Sequence, residues 1–88
     1  MDFAEELYIG KSIADVEAVV SLLKDGTEPA GVFCVCKKEN GRFRYEIMSS
    51  AELLKEHNRD KYTVYGLAAG KRESFELLRF MLEDRHEY

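Results

Sequence analysis

Proline occurs once, cysteine twice and histidine twice among 88 residues. Nowhere do apolar residues run on for the roughly 18 positions that a membrane-spanning helix needs. With so little proline, and with 45% hydrophobic and 34% charged residues, a disordered or collagen-like chain is excluded. No charged-then-apolar segment of the secretory type opens the sequence. What remains is one small α/β domain over residues 1–88, expected to be cytoplasmic and to make no membrane contact. A chain of this size buries about 60–65% of its unfolded surface, enough for a core without disulfides or metal.

The two cysteines fall in the run Val32-Phe33-Cys34-Val35-Cys36, which reads as a strand. Side chains two apart on a strand point to the same face. Cys34 and Cys36 therefore run side by side, a poor geometry for a mutual disulfide. A metal site would need two more ligands, and only His57 and His86 exist. The cysteines read as small core residues, with no metal and no cofactor implied.

The expected elements are strand, helix, hairpin, helix, strand, helix. Leu7 to Ile9 is a short strand candidate. Ser12 is placed to cap a helix, with Asp15 three positions on and Ile13, Val16, Val20 and Leu23 on one stripe. Gly26 ends that helix. Val32–Lys38 and Arg42–Met48 read as strands joined by Asn40-Gly41, a strong two-residue hairpin signal. Such a turn makes paired residue numbers sum to about 81. Val32, Cys34, Cys36, Phe43, Tyr45 and Ile47 then share the core face, and Phe33, Val35, Lys37, Arg44, Glu46 and Met48 the other. Ser49 and Glu52 form a capping box for a helix running to about Asn58, with Leu53, Leu54 and His57 on one side. Tyr62–Ala69 is a strand with Gly66 and Gly70 as breaks, and Lys71–Arg85 a helix.

The strand near residue 45, its helix and the strand 62–69 form a β-α-β crossover with parallel strands. With Leu7–Ile9 counted, the class is α+β: a two-layer sandwich with a β-α-β-β-α-β ferredoxin-like sheet and an extra C-terminal helix. Without it, a three-stranded sheet in an α-β-β-α-β-α chain is the alternative. On the last helix, Phe75, Leu77, Leu78, Phe80, Met81 and Leu82 spread over about 220°, wider than the ~100° stripe that docks on one core. A helix with two apolar sides has a second contact to make: a neighbouring helix, the second sheet face or another chain. Leu77, Phe80, Met81, Phe33 and Met48 are accordingly the candidate partner-binding residues.

The charges are uneven within a net of −4. Residues 31–72 carry nine basic and five acidic groups, while both flanking segments are acidic. Lys37, Lys38, Arg42 and Arg44 surround the hairpin, near Phe33 and Phe43. Basic groups among aromatics can bind nucleic acid on a sheet face, though the acidic total opposes it, as does the missing RNA-recognition signature. Gly10-Lys11-Ser12 lacks the first glycine of a phosphate-binding loop, since position 5 is Glu5. Lys11 and Ser12, like Gly70-Lys71-Arg72, are left as a modest anion site at a helix start. His57 has no nucleophile or carboxylate placed beside it by spacing.

Leu7-Tyr8-Ile9-Gly10-Lys11-Ser12, Tyr65-Gly66-Leu67-Ala68-Ala69-Gly70-Lys71 and Ser74-Phe75-Glu76-Leu77-Leu78 resemble strings in small uncharacterised bacterial α/β proteins of about this length. That resemblance implies a bacterial cytoplasmic protein and no activity. The reading that follows is a non-catalytic binding or oligomerisation domain, with a homo-oligomer or a protein as partner. A nucleic-acid or phosphate-ligand module using the basic hairpin is the alternative. A small enzyme using His57 or a cysteine is the second alternative.

Overall fold

The structure is a computed structural model, described for residues 1–39 and 44–85, Arg85 by its backbone only. Its elements are β1 (Asp2–Ile9), α1 (Val16–Lys24), β2 (Val32–Lys38), β3 (Glu46–Ser49), α2 (Ser50–Leu53), β4 (Tyr62–Ala69) and α3 (Lys71–Arg85). They make an α+β domain with a four-stranded mixed sheet and three helices. The N-terminal strand forms, and it is longer than the apolar run Leu7–Ile9 suggests.

The sheet order is β1-β4-β2-β3. β1 runs parallel to β4, β4 antiparallel to β2, and β2 antiparallel to β3. This is not the ferredoxin-like order, which keeps the first and third strands in the centre; here they are the two edges. β3 and β4 point the same way, as a β-α-β crossover requires, but β2 lies between them.

The helices divide between the two sheet faces. On one face Leu23 of α1 and Leu53 of α2 join Val32, Cys34, Cys36, Tyr62, Val64 and Leu67 in a buried cluster. On the other, Leu77 and Met81 of α3 bury Val35 and Ala68, with Tyr8, Tyr45, Ile47 and Tyr65 packed around them. Helices gathered on one face of a two-layer sandwich were the expectation. The structure instead has three layers, with the sheet in the middle.

The same fact corrects the strand register. Phe33 pairs with Ser49, Cys34 with Met48, Val35 with Ile47 and Cys36 with Glu46, so paired numbers sum to 82 rather than 81. A one-residue slip exchanges every side chain between faces. Tyr45 and Ile47 thereby join Val35 beneath α3, while Met48 joins the cysteine face. Because α3 covers the second face, that face needs apolar residues from β3, and this register supplies them. The Asn40-Gly41 turn lies outside the described residues.

Two helices start or stop differently from the sequence reading. Asp15, not Ser12, caps α1: its carboxylate accepts from the Ala18 amide at 3.0 Å. Ser49 caps α2 as expected, accepting from the Glu52 amide at 3.1 Å. α2 is nevertheless only four residues long. The Asn58 side-chain amide donates to the Glu52 carbonyl at 2.9 Å and draws the chain into turns. His57 is therefore exposed in a turn rather than set beside a helical core stripe.

Candidate functional site

α3 lies on the sheet by one line of small and medium side chains. Met81 is 0% exposed, Leu77 9% and Ser74 0%, and Met81 lies between the other two in projection. Gly66 of β4 permits the approach: a Cβ there would lie 3.0 Å from Leu77 Cδ2 and 3.1 Å from Met81 Sδ. Leu77 and Met81, two of the candidate partner-binding residues, are thus internal core. The sheet's second face is their partner. Phe75 and Phe80 stand roughly 100–120° to either side of Met81 on the helix and remain 54% and 58% exposed. Phe80 touches Tyr8 edge-on, with ring centroids 6.0 Å apart, and Tyr8 donates its hydroxyl proton to Asp84 at 2.6 Å.

On the Phe75 side, an open groove of about 610 Å³ runs between α3 and β3. Phe33, Ile47, Phe75 and Leu78 give it an apolar floor, and Glu52 and Lys71 supply opposite charges to its lining. Phe33 and Met48, half-buried, both line it. The sequence reading found those two and missed Ile47, because the 81 register turned it to the opposite face. Lys55, whose ammonium lies 3.0 Å from Glu52, holds that carboxyl below the usual carboxylate range. The Asn58 amide adds to this.

β3 is an edge, and among the described residues no strand lies on its outer side. β1, the other edge, is guarded differently. Its pairing with β4 is interrupted between Phe3 and Tyr8, and Glu5 and Glu6 are exposed there. Irregular pairing and charge are common ways of blunting an edge. β3 carries no such interruption.

The candidate anion residues do not meet. Lys11 and Ser12 follow the C-terminal end of β1, whereas Lys37, Lys38 and Arg44 lie at the opposite end of the sheet, set by the antiparallel course of β2. Arg42 lies outside the described residues. The Lys37 ammonium sits 4.4 Å above the Tyr45 ring and 5.4 Å from that of Tyr65. It is thereby engaged within the chain. At the other end, the corner is already filled by a carboxylate. Glu73 accepts from the Ala69 amide at 2.7 Å and from the Ser12 amide at 3.1 Å. These bonds, that from Ala69 foremost, hold its pKa below the ordinary range. An acidic residue in the third position of a helix that follows glycine is the one sequence signal that could have marked it.

Gly10 is needed for this clamp, because a Cβ there would fall 2.3 Å from Glu73 Oε1. Gly10→Ala and Glu73→Ala are each expected to destabilise the fold. Together they should cost less than their sum, by about 0.5 kcal/mol or more, in a denaturation cycle. A folded-state pKa that is lowered contributes stability present above the unfolded pKa and lost as pH falls through the folded one. The Glu73→Ala deficit should therefore shrink toward zero in acid. A deficit that is flat with pH would contradict the clamp.

The residues considered for catalysis differ in setting, with His57 exposed in a turn and both cysteines in the core. Cys34 and Cys36 are fully buried. Burial pushes the Cys34 thiol up to about 12 and is the main cause of a still larger rise for Cys36. The Cys36 thiol donates to the Glu46 carbonyl at 3.6 Å. Reaction with a thiol reagent at neutral pH should be slow in the folded protein and rapid in denaturant. Fast native labelling would contradict this burial. Among the described residues no three of His, Cys, Asp and Glu gather as metal ligands, and no helix is long and apolar enough to cross a membrane. The chain matches no family model, no curated protein and no solved structure.

Proposed function

We propose that this is a non-catalytic binding domain that takes a protein partner by strand addition at β3. The partner's alternate side chains would enter the groove beneath Phe75. The observation that carries this reading is the coincidence of an open strand edge with an adjacent apolar groove. An added strand gains main-chain hydrogen bonds from the edge and side-chain contacts from the groove. β3 is only four residues long, so Phe33, Ile47, Phe75 and Leu78 would supply most of the affinity.

Selection from a displayed library of short random peptides tests it. Enriched peptides should alternate apolar and polar residues and shift the backbone resonances of Glu46–Ser49 together with Phe75. Failure to enrich, or shifts confined to the Lys37–Arg44 end or to the Phe80 side, would overturn the reading. Selective binding of oligonucleotides at the Lys37–Arg44 end would favour the nucleic-acid alternative.

A further inference from the structure

We infer that the strand taken up at β3 is acidic, with an Asp or Glu side chain set against Lys71 and an apolar side chain two positions away on the same face. The inference rests on the strand-addition reading and names the chemistry of the partner. Side chains of an added strand alternate between the sheet faces, so those entering the groove are two residues, or roughly 6.6 Å, apart. Phe33, Ile47, Phe75 and Leu78 receive the apolar one. Its neighbour on the same face falls at the Ser49 end of β3. Val32 pairs with Ala69 and Phe33 with Ser49, so the end of β3 and the start of α3 lie at one end of the sheet. Lys71, the first residue of α3, is exposed there and lines the groove.

Charge decides between an acid and any other polar group. The groove lining holds two charged residues, Glu52 and Lys71. Glu52 is already balanced inside the chain, with the Lys55 ammonium 3.0 Å away and the Asn58 amide 3.3 Å from its carboxylate. Lys71 enters no ion pair among the described residues. A basic partner would be repelled by it, whereas an acid answers its charge. The net charge of −4 does not oppose an acid here, because α3 sorts its charges. Glu73 and Glu76 line a cavity on the Phe80 side of the helix, and Asp84 accepts from Tyr8 on that same side. Glu46, at the other end of β3, lies on the cysteine face and accepts from the Tyr62 hydroxyl at 3.1 Å.

Fluorescence anisotropy of labelled peptides enriched from the displayed library, titrated with the full chain, tests this, with circular dichroism confirming that each variant folds. Enriched peptides should carry Asp or Glu two positions from an apolar residue. Replacing that acid by its amide should weaken binding about fivefold, and Lys71→Glu should do so about five- to tenfold. A peptide with Lys in place of the acid should bind Lys71→Glu better than it binds the parent. Lys38→Glu makes the same change in net charge, but Lys38 pairs with Tyr62 at the far end of the sheet. That is beyond the screening length of ~8 Å at physiological salt, so affinity should change by less than about twofold. Enrichment of peptides without an acid would overturn the inference, as would acidic peptides indifferent to Lys71→Glu or equally weakened by Lys38→Glu. If those peptides still shift the resonances of Glu46–Ser49 together with Phe75, strand addition stands and only the charge of the partner is wrong. No enrichment at all would overturn both.

Discussion

Met81→Ala is expected to lower the unfolding free energy by about 2–5 kcal/mol, as removal of a buried side chain that leaves a cavity does. Phe80→Ala, one residue away on α3, should cost about 1 kcal/mol or less. Met81 is 0% exposed and packs over Gly66 of β4, whereas Phe80 is 58% exposed and meets one edge of Tyr8. A domain of this size has a total stability on the order of 5–10 kcal/mol, so the first substitution removes a large share of it. Urea titration reads the difference as a shift in midpoint at unchanged slope. Equal losses for the two variants would mean that α3 does not rest on the sheet by the Leu77–Met81 line.

Gly66→Val should be similarly damaging from the other side of the same contact. The first added carbon would already sit 3.0 Å from Leu77 Cδ2, 3.1 Å from Met81 Sδ and 3.4 Å from Val35 Cβ. Two further methyls have nowhere to go without lifting α3, and overpacking of this kind costs roughly 1–3 kcal/mol or more. Combining Gly66→Val with Met81→Ala makes room, so the pair should cost clearly less than the sum of the singles in a double-mutant cycle. Strict additivity would show that the two residues do not share a contact.

Gly66 also shows what could be read in the sequence and what could not. β4 is legible as Tyr62–Ala69, and β2 as Val32–Lys38, because dense β-forming runs define strands buried on both faces. Within β4, glycine reads as a break. It is instead the flat place that lets a helix approach, and only the position of α3 reveals that. α3 itself is legible over Lys71–Arg85, including an apolar arc too wide for one contact. Which part of the arc turns inward is a long-range matter. It places Leu77 and Met81 in the core, and it leaves Phe75 and Phe80 on the flanks.

Strand order is hidden for the same reason. Local pattern shows that strands exist, but pairing partners far apart in the chain decide which ones become edges. The slip from an 81 to an 82 register then moves Ile47 and Tyr45 onto the α3 face. As a result Tyr45 and Ile47 were not legible as groove residues, though Phe33 and Met48 were found. Glu73 was missed because its two amide partners come from Ala69 and from Ser12, the latter 61 residues away. Ser12 looked like a cap because it precedes an apolar stripe. Asp15 lies closer to the helix and takes the role.

The claim on which the functional account turns is that the outer edge of β3 is the working surface. Amide hydrogen exchange along Glu46–Ser49, followed with and without a selected peptide, measures it most directly. The β3 amides not bonded to β2 should exchange rapidly in the chain alone and become protected when the peptide is added. The amides of residues 4–7, in the interrupted stretch of β1, should not change. Outer β3 amides that stay equally fast when the selected peptides are added would contradict the account.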